Sequence, residues 1–280
     1  MARKRNTAEE IVAKLRQVDV LMAQGRQVAD AVRAISAEAV RSGPAARADQ
    51  CLLAQEALAR PRAEVPSPHR GRDRQVRALL LTILPGQVIG RLNQGEAVIA
   101  DHFEGVSVPF ADLVSFTEHS ARVTPAAMVE YLNRLFSEFD ALAREHGVEK
   151  IKTIGDAYMA VAGLPDPNPD PFAAIGRMAL GMIDRLGHVN GHFGWPLQIR
   201  IGIHSGPVVA GIIGTHRFIY DVWGDTVNVA SRLEDYSLPN RIHVSQDTAR
   251  HLVGSFALEP RGSIDVKGKG KLETFFLSRI

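Results

Sequence analysis

The chain has one cysteine, no long apolar run and no apolar segment behind its basic N-terminus, and each shortage excludes a class of protein. Cys51 stands alone among 280 residues, so an intrachain disulfide and a cysteine-based zinc cluster are excluded. The most apolar early segment, residues 78–84, is far shorter than the ~18 residues that span a bilayer. Acidic Glu9 and Glu10 lie where a signal peptide has its apolar core. We therefore expect a cytoplasmic protein without a membrane span.

The residues that are abundant are ordinary for a globular protein, but their charges are unevenly distributed. Apolar residues make up 45% of the chain and charged residues 23%. Residues 1–78 carry 15 Lys and Arg against 9 Asp and Glu, whereas the remainder carries 18 against 22. Such segregation of charge predicts two segments with different partners or origins.

The N-terminal part predicts a helical segment followed by a linker. Apolar side chains in residues 1–36 recur every three or four positions, which is the period of one helix face. The prolines and arginines of residues 37–75 are typical of a disordered linker. A short helical segment over residues 76–96 then precedes a domain that occupies residues 97–280.

Within residues 97–280, apolar strands alternate with helices, and this alternation predicts an α/β fold. The predicted helices cover residues 125–147 and 171–193. The predicted strands cover residues 106–112, 148–153, 157–162 and 197–204.

Two aspartates fall at the ends of predicted strands. Asp112 ends the strand within FADLVSFT (110–117), and Asp156 follows Gly155 at the tip of a predicted hairpin. Such a pair suits two-metal phosphoryl transfer, because Mg²⁺ takes few protein carboxylates and completes its shell with substrate phosphates. Phosphate oxygens can also be met by the backbone amides of the turn after Asp112, namely those of Ser115, Phe116 and Thr117. Either aspartate taken alone also fits an ordinary cap or turn residue.

Two further segments present polar side chains together. Asn228 and Arg232 are four residues apart, so on a helix they share a face from which they can orient a ribose and stabilise a phosphate in flight. The Gly/Lys loop in DVKGKGKLETF (265–275) presents Lys267, Lys269 and Lys271, and such a loop can close over phosphates. In isolation, the first is also an ordinary helix-surface pair and the second a solvated basic turn.

In this order, these segments resemble the class III adenylate/guanylate cyclases. The resemblance extends to ADHFEGVSVPFADLVSFTEHSA (100–121) and RIGIHSGPVVAGIIG (200–214), and it covers nearly all of residues 97–280. It implies a ferredoxin-like α/β (α+β) fold with an antiparallel-rich sheet and flanking helices. It also implies a homodimer with active sites at the subunit interface, two Mg²⁺ or Mn²⁺ ions per site and no protein nucleophile.

The resemblance implies a role for each candidate residue and assigns the candidates to two halves of a shared site. The metal-binding half comprises two metal ligands and a phosphate-contacting arginine: Asp112, Asp156 and Arg200. The partner chain contributes a ribose-orienting residue, a transition-state residue and a phosphate-binding lysine: Asn228, Arg232 and Lys267.

Base choice follows from two positions at which this family reads the purine, Lys152 and Asp221. A lysine ammonium only donates hydrogen bonds and a carboxylate only accepts them. Adenine offers the acceptor N1 and the donor 6-amino group, which match this pair, whereas guanylate cyclases of the family resemble this pattern but have Glu and Cys there. The expected reaction is therefore conversion of ATP into 3′,5′-cyclic AMP and pyrophosphate. The alternatives are a guanylate cyclase or a low-activity cyclase-like sensor domain.

Two residues depart from the family pattern. Pro109 lies inside the first predicted strand, where proline removes a donor from the ladder. Ser115 stands where the family often has glycine, and if that backbone needs a positive φ, serine adds strain of about 1 kcal/mol. Both departures predict reduced activity without displacement of the ligands.

The N-terminus carries a second resemblance. Residues 3–35 resemble the start of the helix-turn-helix segment of insertion-sequence transposases, but the resemblance stops near Ser36. The following residues, 37–50, lack the aromatic and basic side chains of a recognition helix, through which such a motif reads bases. A DNA-binding, transposase-derived protein is therefore the alternative of another class, and we do not expect DNA binding by this segment.

Overall fold

The computed structural model describes residues 78–96, 98–213, 218–266 and 268–280. The predicted helical segment 1–36, the linker 37–75 and the transposase-like residues 3–35 lie outside the described residues, as does Lys267. Within the described ranges, no helix combines the length and the apolarity that a membrane crossing requires.

Helices and strands alternate along the described chain. The helices are α1 (Gly86–Asn93), α2 (Phe116–Ser120), α3 (Pro125–His146), α4 (Pro171–Phe193), α5 (Asp225–Asp235) and α6 (Gln246–Leu252). The strands are β1 (Ile99–Val114), β2 (Glu149–Ile154), β3 (Ala157–Val161), β4 (Gln198–Ile213), β5 (Ile219–Trp223), β6 (Arg241–Ser245), β7 (Ala257–Val266) and β8 (Gly270–Ser278).

The strands form one sheet in the order β2-β3-β1-β4-β6-β8-β7, and β5 pairs with β4 beside this path. The pairing of β4 with β6 is parallel, and the other pairings are antiparallel. The expected α/β fold with an antiparallel-rich sheet and flanking helices is confirmed. The predicted strands 106–112 and 197–204 are parts of β1 and β4, which are 16 residues long.

Local signals in the sequence set the ends of the two long helices. Thr124 accepts a hydrogen bond from the amide of Ala127 at the start of α3, and Gly147 ends that helix with φ 63°. Asp170 caps α4 in the same way, and Gly194 ends it with φ 69°. The predicted helices are therefore confirmed almost to the residue.

Side chains alternate between two covered faces of the sheet. On one face, Tyr158 and Ile201 pack with α3, α4 and α6, and on the other, Val108 and Met159 pack with Val88 of α1. Each fully buried side chain of this size contributes about 2 kcal/mol by leaving water. Helix α1 thus belongs to the core of the domain that follows it.

Strand β1 accommodates Pro109 because its hydrogen-bonded ladder with β3 is interrupted at this residue. The Ser107 amide donates to Ala162 O at 3.1 Å, so the alternation of an antiparallel pair also points the Pro109 nitrogen toward β3. Pairing between β1 and β3 is accordingly reduced to a bridge at Ser107 and the partners of Phe110 and Ala111. The ladder between β1 and β4 runs through Pro109 unbroken.

Helix α5 lies against β4 with its backbone in direct contact. A Cβ on Gly202 of β4 would stand 2.1 Å from the Glu234 nitrogen and 2.5 Å from the Ala230 oxygen. Only glycine allows this approach, so α5 and β4 are held at a fixed spacing at this point.

Candidate active site

The sheet brings the two predicted metal ligands together. Asp112 lies in β1, two residues before its end, and the pairing of Ala111 with Tyr158 sets it beside the β2–β3 turn. Asp156 follows Gly155 in that turn, where φ is 64° as the predicted hairpin requires. Burial raises the pKa of Asp156, and the neighbouring Asp112 carboxylate raises it further. The two carboxylates therefore lie close enough to repel each other.

This carboxylate pair fits a divalent cation, whose charge would relieve the repulsion. The described residues hold no group of three or more His, Cys, Asp and Glu side chains placed for a metal. A cation on Asp112 and Asp156 would therefore draw its remaining ligands from other oxygens, which is how Mg²⁺ binds with substrate phosphates and water.

Arg200 lies across the strand pair from Asp112 and contacts two acids. Its Nη2 donates to Asp112 Oδ2 at 3.1 Å, and its Nε lies 3.0 Å from Glu234 Oε1. Glu234 is 7% exposed, and burial, followed by the charge of Asp112, raises its pKa to about 7. Glu234 is not among the residues predicted from the sequence, because its burial depends on the close approach of α5 to Gly202 and has no local signal.

The turn after β1 has the strained backbone that the sequence suggested. Ser115 adopts φ 57° and ψ 26°, in the left-handed region, and α2 begins at the next residue. No side chain caps this helix start. The Ser115, Phe116 and Thr117 segment thus forms the tight turn next to Asp112 that the sequence predicts.

The predicted purine-reading residues meet although 69 positions separate them. Lys152 Nζ of β2 lies 2.5 Å from Asp221 Oδ2 of β5. Asp221 Oδ1 also accepts a hydrogen bond of 2.8 Å from the Val222 amide. The lysine side chain is 34% exposed and the aspartate 17%, so this ion pair borders solvent.

Asn228 and Arg232 lie on α5, as the spacing predicts, and line a cavity of about 290 Å³ with Lys269. Arg232 Nη1 donates to Asp235 Oδ2 at 3.1 Å, and both side chains are about half exposed. Lys269 forms an ion pair with Asp225. Because Lys267 lies outside the described residues, Lys269 is the lysine of the Gly/Lys loop that the structure places beside this pair.

The candidates thus form three groups within one chain. They are Asp112 with Asp156 and Arg200, Lys152 with Asp221, and Asn228 with Arg232. Among the residues that the structure describes, no hydrogen bond or ion pair joins one group to another.

The sheet and its pair of strand-end carboxylates are the features expected of a nucleotide cyclase domain. Residues 98–279 match the family model of the adenylate and guanylate cyclase catalytic domain, and the chain belongs to that family. An adenylate cyclase of Mycobacterium tuberculosis is 45% identical over 201 residues, which are 71% of this chain and 45% of that protein. The guanylate cyclase soluble subunit beta-2 of Rattus norvegicus is 43% identical over 206 residues, 73% of this chain and 30% of that protein. The chain therefore spans less than half the length of these curated relatives.

Solved structures give the same fold. The catalytic core of a rhodopsin-guanylyl cyclase with converted specificity, in complex with ATPalphaS, is 40% identical with a TM-score of 0.62 and covers 65% of this chain and 98% of its own. The adenylyl cyclase CyaB from P. aeruginosa is 26% identical with a TM-score of 0.62 and covers 65% of this chain and 96% of its own. The expected cyclase fold is confirmed. The relatives include both adenylate cyclases and guanylate cyclases.

Proposed function

We propose that the chain is an adenylate cyclase that converts ATP into 3′,5′-cyclic AMP and pyrophosphate at the interface of a homodimer. The observation that carries the substrate choice is the contact of Lys152 with Asp221. It puts a donor and an acceptor side by side, the arrangement that matches N1 and the 6-amino group on one edge of adenine. Guanine reverses this order, because its N1–H donates and its O6 accepts, so in the same pose Lys152 would meet the N1–H donor and Asp221 the O6 acceptor.

The metal half of the site prepares the triphosphate. Asp112 and Asp156 would hold two Mg²⁺ or Mn²⁺ ions, whose charge would neutralise the phosphates and lower the pKa of the ribose 3′-hydroxyl. Arg200 leaves its contact with Asp112 to meet phosphate oxygens, and the amides of the turn at Ser115 do the same.

The other half of the site orients the ribose and stabilises the transition state. Lys152 and Asp221 hold the adenine, and Asn228 orients the ribose so that its 3′-oxygen attacks the α-phosphorus in line. Arg232 stabilises the charge that develops as pyrophosphate leaves, and the Gly/Lys loop with Lys267 binds the phosphates.

Dimerisation is proposed because, among the described residues, no hydrogen bond or ion pair joins the metal half to the groups that the resemblance assigns to the partner chain. Beyond that separation, large apolar side chains stand exposed at the ends of the β4–β5 arm, where Ile213 is 68% and Ile219 57% exposed. A second subunit on this arm would cover them, as exposed apolar clusters of this kind mark interaction sites.

Guanylate cyclase activity is the second candidate, since the rat guanylate cyclase subunit is nearly as similar as the mycobacterial adenylate cyclase. The purified protein should be assayed with ATP and GTP side by side, with Mn²⁺ and with Mg²⁺. We expect cyclic AMP from ATP and a rate with GTP at least about tenfold lower. Equal rates would contradict the role given to Lys152 and Asp221.

The shared site is tested by mixing two inactive variants. Asp112→Ala removes a metal ligand and Arg232→Ala the transition-state residue, so their heterodimer has one intact site and one doubly broken site. Random pairing makes about half of the dimers mixed, so about a quarter of wild-type activity should return. Asp112→Ala mixed with Asp156→Ala should stay inactive, because both changes fall in the same half. An inactive first mixture with demonstrated subunit exchange would contradict the interfacial site.

A further inference from the structure

Helix α5 serves more than the cavity that Asn228 and Arg232 line. Two residues beyond Arg232, Glu234 lies on the buried side of the helix and contacts Arg200. Arg200 belongs to the metal half of the site, together with Asp112. In the proposed dimer, one helix therefore contacts functional groups of two different active sites.

Arg200 lies between two acids and contacts each of them with a different geometry. Its Nη2 hydrogen bonds to Asp112 Oδ2 at 3.1 Å. Its Nε lies 3.0 Å from Glu234 Oε1, yet within the described part of the chain neither of these two buried atoms makes a hydrogen bond. Their charges attract but the donor is not aligned, and a small rotation of the guanidinium plane would align it. The contact to Glu234 can thus tighten when Arg200 turns away from Asp112.

The scaffold leaves little freedom at this contact. Gly202 is two residues from Arg200 in β4, and a Cβ at Gly202 would clash with the backbone of Glu234 itself. Since the backbones touch there, a shift of α5 moves the Glu234 carboxylate relative to Arg200 by a comparable distance.

We propose that Glu234 is a positioning residue for Arg200, and that through it the helix carrying Asn228 and Arg232 for one active site orients the phosphate-binding arginine of the other. This inference rests on the proposed function for the assignment of the two sites. It adds a residue to the metal half-site and a physical connection between the two halves that one chain contributes.

The test adds Glu234→Gln to the complementing pair of variants. Gln keeps the shape of the side chain and removes its charge. On the Arg232→Ala chain, which supplies Arg200 to the working site, it should lower the recovered kcat about tenfold, because a misdirected arginine no longer meets the phosphate. On the Asp112→Ala chain, it should change the recovered kcat less than about twofold. Equal losses on both chains, or a larger loss on the Asp112→Ala chain, would overturn the proposal.

A matched control separates positioning from structural support. Glu138 is also a partly buried acid 3.0 Å from an arginine, Arg185, and it lies on α3 away from the candidate site. Glu138→Gln should leave the recovered kcat unchanged on either chain. Glu234→Gln removes one partner of the buried contact with Arg200, so it should lower the free energy of unfolding to the same extent on either chain. A loss of stability with symmetric losses of activity would show a structural role only.

A second readout needs no catalysis. In ¹⁵N spectra of the nucleotide-free protein, the Arg200 Nε–H signal can be assigned with Arg200→Lys. This proton is not in an aligned hydrogen bond, but the attraction of the Glu234 carboxylate keeps it buried. We therefore expect its exchange with solvent to be about tenfold faster in Glu234→Gln, intermediate in Glu234→Asp and unchanged in Glu138→Gln. An unchanged rate in Glu234→Gln overturns the proposal even if the parent pair of variants fails to complement. Complementation without this effect would leave the proposed dimer site intact and remove Glu234 from it.

Discussion

The metal side and the helix side of the candidate site are built in opposite ways. Asp112 and Arg200 face each other across two central strands, so the sheet register fixes them, and burial raises the pKa of Asp156 beside them. Asn228 and Arg232 lie on a helix at a cavity that borders solvent, and within the described ranges Arg232 forms its ion pair with Asp235. The sheet thus preorganises the charged groups of the metal side, whereas the helix presents groups that a second subunit would complete in the proposed dimer.

The largest expected effect on activity comes from removing a carboxylate from the metal side of the site. Asp112→Ala or Asp156→Ala should abolish metal-dependent cyclisation, because each removes one of the two carboxylates proposed to hold the metal. The variants should stay folded, which thermal unfolding would check. Retention of more than about a few per cent of activity by either variant would remove that residue from the metal site.

The base-reading pair can be altered without touching either side. Lys152→Glu with Asp221→Cys should shift the preference from ATP toward GTP by about one hundredfold, since the donor and acceptor are exchanged. The ratio of kcat/KM for the two nucleotides measures the shift. Glu138→Gln is again the control, and a ratio that does not move would show that these positions do not contact the base.

A buried histidine predicts that the free energy of unfolding depends on pH. His243 is fully buried, its Nδ1 lies 2.8 Å from Leu233 O, and burial lowers its pKa from 6.5 to about 4. The unfolded chain takes up this proton first, so His243 adds stability above pH 6.5 that is lost as the pH falls toward 4. The loss should reach about 3 kcal/mol.

Urea unfolding at pH 7, 6 and 5 measures this loss. His243→Asn should remove this contribution because the asparagine does not titrate. The raised pKa of Glu234 acts in the opposite direction, since the folded chain binds that proton more tightly, so the difference in slope between the wild type and the variant isolates the histidine. Identical slopes in the wild type and the variant would contradict the assignment.

The smallest expected effect lies at the strained turn. Ser115→Gly relieves the positive φ but frees the unfolded chain, so a net gain of up to about 1 kcal/mol is expected. A gain of that size would raise the Tm by about 3 °C. Calorimetry measures this change, and a lower Tm would show that the Ser115 side chain makes a contribution larger than the strain.

Local features were predictable, and contacts between distant segments were not. The caps at Thr124 and Gly147 and the turn at Gly155 act within a few residues, so the sequence alone indicates them. The burial of Glu234 requires α5 to approach Gly202, and no periodicity reports that. The resemblance predicted that Lys152 and Asp221 both contact the purine base. It did not predict that the two side chains contact each other.

The lengths of the central strands show the same limit. The sequence predicted only residues 106–112 of β1, because residues 100–105 are mostly exposed and show no apolar alternation, and a register shift separates Phe103 from Val106. Their strand conformation comes from pairing with β4, which holds them whatever their own preference.

The interrupted ladder at Pro109 has a consequence for motion. The β2–β3 hairpin carries both Lys152 and Asp156, and it joins the sheet through a short stretch of backbone pairing at Ser107, Phe110 and Ala111. Fewer backbone hydrogen bonds to β1 lower the free energy needed to open this hairpin while the rest of the sheet stays folded. We therefore expect the amides at the tip of this hairpin to exchange with deuterium before those of β4, and metal binding at Asp156 would slow that exchange by restraining the tip.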